Sequence, residues 1–207
     1  MIQKKEVKLQ KNNPLKLFNS ILKENKIKNL LEELKDYHPE TYEHCLRVGL
    51  FCMKMGGENN LSKDKIKILG ISGLLHDIGK LDIPKKILSK KEKLTKEERK
   101  KIEEHCTNGF LRLKDFKNIR NLILQHHQHQ INNYPKNCKI QKQDDKLVQI
   151  ICIVDTCDAL SHTRIYRKKL ENKKIRKILE KEFTGDKIYI EQVLELSKDG
   201  EKRSIQV

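Results

Sequence analysis

Residues 147–160, "LVQIICIVDTCDAL", set Leu147, Ile150, Ile151 and Val154 at helical spacing and continue the same stripe with Asp155 and Asp158. The run predicts a helix with a core-facing side and two carboxylates on that side. A buried carboxylate without a partner is costly enough that it shifts to neutral, pairs with a cation or binds a metal. Which of the three applies depends on what the other helices bring to it.

Helical periodicity returns along the rest of the chain, with almost no strand signal, no internal repeat and no Gly or Ser tract, so the expected fold class is an all-α bundle. Asn13 and Pro14 read as N-cap and first position of an amphipathic helix carrying Leu17, Phe18, Ile21 and Leu22. Pro39 opens a helix whose stripe is Glu40, His44, Val48, Phe51, Cys52 and Met55, ending near Gly56-Gly57. After Ser62, a helix with Ile66, Leu69 and Gly73 reaches His76 and Asp77 just before Gly79, which is expected as its C′ glycine. Thr95 and Glu98 have capping-box spacing and start one helix with the stripe Ile102, His105, Cys106, Gly109, Phe110 and Leu113. Ile119, Leu122 and Ile123 lead to His126 and His127 on one face. Two last helices, around residues 175–182 and 189–196, flank a "TGD" turn and read as scaffold.

A length of 207 residues fits one domain. The 45 Lys plus Arg against 29 Asp plus Glu give a net charge of +16 and point to an anionic partner. All but eight of those basic residues are Lys, scattered from Lys4 to Lys202 as a solvated surface. A nucleic-acid binder is expected to cluster its charge and supply aromatic platforms, and the chain has no Trp. No segment has the form of a signal peptide or approaches the roughly 20 apolar residues of a membrane span, so a cytoplasmic protein without membrane contact is expected. The six cysteines form no CxxC pair and read as reduced core residues, with a zinc–thiolate site as the alternative.

Five helices thus present an Asp, Glu or His where their periodicity asks for an apolar residue: Glu40 and His44, His76 and Asp77, His105, His126 and His127, and Asp155. Any one of them is readily explained as a hydrogen-bonded core residue. All of them together would need many separate partners, whereas a cluster of cations satisfies them at once. Eight ligands are too many for one ion, so two or three divalent transition metals are expected. Imidazole with carboxylate and no thiolate favours iron or manganese. Adjacent His76 and Asp77 diverge by about 100° on a helix, which makes Asp77 the natural bridge between neighbouring ions. A two-metal site can hold a hydroxide nucleophile and neutralise a phosphoryl group in an in-line displacement, and Lys80 stands where it can take a phosphate oxygen.

"HDIGKLDIPKKIL", preceded by "ETYEHCLRV" and followed by "EEHCTNGF", "ILQHHQ" and "DTCDALSHTRIYR", resembles the HD-GYP branch of the HD-domain metal-dependent phosphohydrolases. The resemblance covers residues 28–197, leaving 1–27 as a packed helical extension and 198–207 as a tail. It implies an HD-type helical bundle, a bi- or trinuclear metal centre and hydrolysis of cyclic di-GMP or a related cyclic dinucleotide, with a signalling protein as a further partner. The family's ligand pattern falls on Glu40, His44, His76, Asp77, His105, His126, His127 and Asp155. Its phosphate and substrate contacts fall on Lys80, Asp158, Arg164 and Arg167, with Lys80 and Asp77 in the catalytic roles. Departures lie in "HHQHQINNYP": Gln128 replaces Glu, the Asp-Gly is gone, and only Tyr134-Pro135 survives of the family's ending, with Asn133 expected in the left-handed position a Gly would hold. Gln149 stands where the family usually has Arg. These changes spare the ligands and bear on substrate and partner recognition. The alternatives are a phosphohydrolase acting on another nucleotide or phosphomonoester, and an inactive nucleotide-binding signalling protein.

Overall fold

The computed structural model describes residues 14–162 and 170–201. Among them the chain is a bundle of α-helices with no strand beyond an isolated bridge between Gln130 and Phe183. The helices are α1 (Pro14–Leu22), α2 (Asn25–Tyr37), α3 (Pro39–Glu58), α4 (Lys63–Leu75), α5 (Lys85–Leu88), α6 (Lys96–Glu103), α7 (His105–Arg112), α8 (Arg120–Gln125), α9 (Asp145–Ser161), α10 (Asn172–Glu182) and α11 (Ile188–Glu201), with a 3-10 helix at Ile78–Asp82. None of them is long and apolar enough to cross a membrane.

Local chemistry sets several of these boundaries. His38 caps α3 by accepting from Thr41 N, with Pro39 at the first helical position, and Ser62 caps α4 by accepting from Lys65 N. Thr95 and Glu98 close a reciprocal capping box at the start of α6. The segment carrying Ile102 and Gly109 is two helices rather than one, broken at Glu104. Helix α2, with Ile27, Leu31 and Leu34 buried along one stripe, was not singled out from the sequence.

Helix α9 is buried around most of its circumference, since Val148, Cys152 and Ile153 are covered as well as the predicted stripe. A helix apolar on every side is a central one, and α9 packs against α3, α4, α10 and α11. Each fully buried Leu or Ile here contributes about 1.5–3 kcal/mol relative to exposure. Helix α3 serves two core clusters: Cys45, Leu50 and Met53 pack with α1, α2 and α4, whereas Val48, Cys52 and Met55 pack with α9, α10 and α11. Helices α3 and α4 cross closely because Gly73 has no side chain; a Cβ there would lie 2.8 Å from Gly49 Cα. This crossing brings His76, just beyond α4, beside His44 of α3.

Candidate metal centre

Three imidazoles are held by the same device at three helix ends. His76, His105 and His126 each place Nδ1 against the carbonyl three residues earlier: Gly73 at 2.8 Å, Ile102 at 2.7 Å and Ile123 at 2.6 Å. Those carbonyls belong to the last turns of α4, α6 and α8, where a helix end leaves carbonyls short of helical donors. A carbonyl only accepts, so Nδ1 carries the proton in each ring and Nε2 keeps its lone pair when the ring is neutral. All three rings are buried.

The freed Nε2 atoms converge. His105 Nε2 and His126 Nε2 lie 3.1 Å apart. His76 Nε2 has no hydrogen-bond partner among the described residues and stands 3.4 Å from Asp77 Oδ2 and 3.6 Å from Asp155 Oδ1. His44 presents Nε2 to Asp155 Oδ1 at 2.9 Å and Nδ1 to Asp158 Oδ2 at 2.7 Å. Asp77 sits among them, with Oδ1 3.4 Å from His105 Nε2 and Oδ2 3.9 Å from His44 Nε2 and 2.6 Å from Lys80 Nζ. His127 Nδ1 is buried with no hydrogen bond among the described residues, 3.8 Å from Asp155 Oδ2, and the Tyr134 ring covers its imidazole at 4.4 Å between centroids.

This arrangement fits divalent cations. Two neutral imidazoles whose Nδ1 protons are already committed would set lone pair against lone pair at 3.1 Å, which a cation between or beside them relieves. Donor atoms gather within 4.8 Å of one another in His44, His76 and Asp77, in His76, His126 and Asp155, and in His105, Cys106, His126 and His127. In the metal-free protein the strain shows as displaced protons. Burial pushes His105 down to about 4, His127 down to about 3 and His126 well below its ordinary range. Burial also disfavours a charged His76, but Asp77 and Asp155 outweigh it and hold His76 well above 6.5. Against the same cost of burial, Lys80 and His76 hold Asp77 well below the usual carboxylate range, and His44 and His76 do so for Asp155.

Of the other expected site residues, Glu40 stands at the mouth, lining a cleft with His38, Thr41, His44, Lys80, Leu88 and Ile102, outside the tight donor groups. Arg164 and Arg167 lie outside the described residues. Asp158, expected to touch substrate, is placed elsewhere: it is fully buried behind His44, and Arg47 grips it through Nε at 2.9 Å and Nη2 at 3.0 Å, with His162 Nδ1 at 3.2 Å. Its oxygens face protein groups, with Oδ2 at 2.7 Å from His44 Nδ1, so the residue expected at the substrate stands in this structure as a neighbour of His44. Arg47 was missed, although its place three residues after His44 puts it on the same helical face.

The altered loop after His127 is held by its substitutions. Gln128 donates to the Pro135 carbonyl at 2.9 Å, a bond that a carboxylate at this position would lack. Positive φ falls at Asn137 (63°) rather than at Asn133. Gln149 binds Asp145 and accepts from Asp186 N, tying α9 to the turn between α10 and α11.

The model of the HD domain matches residues 41–160, more than half of the chain and a span that holds all of these donors except Glu40. The chain belongs to the HD domain family. This HD domain is 32% identical over 143 residues to a cyclic di-GMP phosphodiesterase of Pseudomonas aeruginosa, a match covering 67% of this chain and 34% of that protein. It is 31% identical over 177 residues to a cyclic di-GMP phosphodiesterase of Thermotoga maritima, covering 82% of this chain and 46% of that one. A 3'3'-cGAMP-specific phosphodiesterase of Vibrio cholerae is 29% identical over 149 residues, covering 70% and 34%. The chain thus spans less than half the length of these relatives. Among solved structures, the HD domain of the L. monocytogenes phosphodiesterase PgpH in complex with cyclic di-AMP has the same fold, with a TM-score of 0.62 at 19% identity over 86% of this chain and 99% of that one.

Proposed function

We propose that this HD domain is a metal-dependent phosphodiesterase that hydrolyses a cyclic dinucleotide, cyclic di-GMP or a relative of it, at a centre of two or three divalent ions. The convergence of His76, His105 and His126 through Nε2 on the carboxylates of Asp77 and Asp155 carries this reading. The names of the relatives support the substrate class, since they cover cyclic di-GMP and 3'3'-cGAMP.

His44, His76, Asp77, His105, His126, His127 and Asp155 would hold the ions, with Glu40 at the edge of the cleft. When bound, divalent metals supply Lewis acidity to a phosphoryl oxygen and to the attacking water. The protein's own part is orientation and charge. Carbonyl-anchored Nδ1 protons fix three imidazoles in the ligating tautomer, so no reorganisation is needed when substrate arrives. Lys80 lines the cleft and offers its ammonium to a phosphate oxygen. Arg164 and Arg167 are assigned the second phosphate, for which the planar guanidinium fork is suited.

The test is a panel of cyclic and linear dinucleotides, nucleotides and a phosphomonoester, given to metal-replete protein with and without chelator, alongside elemental analysis. Chelator-sensitive hydrolysis of a cyclic dinucleotide with two or three ions per chain is the expected result. At most one ion, or turnover confined to phosphomonoesters, would overturn the proposal. Lys80→Ala should lower turnover by about 100-fold or more, the range for losing a charge-stabilising donor, while metal content stays the same.

A further inference from the structure

Cys106 enters the donor set from the core side. It is buried, as the sequence suggested, yet its sulfur lies 3.5 Å from His105 Nε2 and 3.8 Å from His126 Nδ1. With His105, His126 and His127 it forms a group whose donor atoms all lie within 4.8 Å of one another. Bonds of about 2.0–2.3 Å from imidazole and thiolate to a single ion span at most about 4.6 Å, so the group closes on one ion with a small inward shift of its donors. Two further observations point to a ligand there: His127 Nδ1 is buried with no hydrogen bond among the described residues, and the Nε2 atoms of His105 and His126 face each other while both Nδ1 protons are bound to carbonyls.

We propose that Cys106 is itself a metal ligand, completing a thiolate–imidazole shell with His105, His126 and His127 for one ion of the centre. On binding, the thiol gives up its proton to solvent and the sulfur donates an electron pair to the cation, so each ion bound at this position releases one proton and no oxidation state changes. The donors near His44, Asp77 and Asp155 are nitrogen and oxygen. The centre is therefore asymmetric: the Cys106 position selects softer ions such as zinc, cobalt or ferrous iron, and manganese is confined to the oxygen-rich side. It adds a thiolate to the imidazole–carboxylate donor set expected from the sequence. It also rests on reading the cluster as a metal centre, which the test must separate.

Cobalt(II) serves as the probe. Metal-free protein titrated with cobalt should show visible ligand-field bands, which report the centre, and a near-ultraviolet sulfur-to-cobalt charge-transfer band, which reports Cys106. In Cys106→Ser and Cys106→Ala the charge-transfer band should vanish while cobalt still binds. Zinc affinity should fall by at least the roughly 10- to 100-fold that changes to supporting residues cost. Cys45→Ser is the control, because the Cys45 sulfur, 3.9 Å from His76 Nδ1, belongs to none of the three donor groups. Cobalt bound by wild type without a charge-transfer band, a band that survives in both Cys106 variants, or one that disappears with Cys45, overturns the proposal and leaves the metal centre standing. Failure of wild type to bind cobalt at all overturns both.

Discussion

Asp158 is fully buried and stays ionised because Arg47, His44 and His162 surround it, which together hold its carboxyl far below the usual range against the cost of burial. Two variants separate its effects. Asp158→Asn keeps the shape but weakens the hold on His44 Nδ1, so metal affinity should drop by about 10- to 100-fold with helical content unchanged, as read by chelator competition and circular dichroism. Arg47→Met instead leaves the buried carboxylate short of its guanidinium partner. Breaking a buried pair costs about 3–5 kcal/mol, and the exposure of a quarter of the Arg47 side chain puts the expected loss at about 3 or less in denaturant melts. An unchanged midpoint would show that the pair contributes nothing. Asp155 reads from the sequence as a buried carboxylate that needs a proton, a cation or a metal, and Asp155→Asn tests which of these it has. The structure gives it His44 at 2.9 Å and a charged His76 nearby, so the variant should melt below wild type in chelator as well, and further below it with metal bound. A chelated variant more stable than wild type would show that the imidazoles do not compensate this carboxylate.

Helix ends do the positioning at the next scale. Gly79 was read as a left-handed C′ residue of α4, but no described glycine has positive φ, and Gly79 lies inside the 3-10 helix. Its constraint is proximity: a Cβ there would meet His105 O at 2.0 Å and Gly109 N at 2.5 Å, both of them backbone. Gly79→Ala must therefore push α7 away, at a cost of about 1–3 kcal/mol, and because His105 opens α7 it should lose metal as well as stability. Gly57→Ala has nothing within 4 Å of the new methyl and should leave both unchanged or slightly improved. Equal behaviour of the two variants in melts and metal analysis would refute the close-approach account. The break between α6 and α7 has a related origin. His105 Nδ1 takes the Ile102 carbonyl and competes with the helical ladder where the sequence pattern ran straight through.

Over the whole molecule, the buried imidazoles dictate how the metal-free protein responds to acid. In the unfolded chain they take up protons near pH 6.5, whereas folded His105 waits until about 4 and His127 until about 3. Between these limits the unfolded state binds more protons, so stability must fall as pH falls from 6.5 towards 4. His76 has the opposite sign: its folded value is raised, so its contribution is complete below 6.5 and adds no slope in this window. The depressed carboxylates Asp77 and Asp155 lose their contribution only below 3.8. Melts of chelated protein should therefore decline steadily over this range, and saturating metal should raise the curve by an amount that shrinks with acid, because protons compete for the same nitrogens. A flat profile in chelator would mean that the imidazoles are not buried neutral. The all-α class and most helix positions were legible in the sequence, because helical period is a local property, and the His and Asp side chains that the fold gathers stand out by residue type on apolar stripes. Much of what the local pattern could not carry was decided by atoms from distant segments meeting. Asp158 lies 114 residues from His44, so its place beside that ring depends on how α9 packs on α3. The tautomers of the three rings are set locally, by Nδ1–carbonyl contacts three residues apart that a hydrophobic period does not encode. The approach of the Cys106 sulfur to His126 arises from a contact that the bundle creates, since periodicity says which face is buried and not which atom it is buried against.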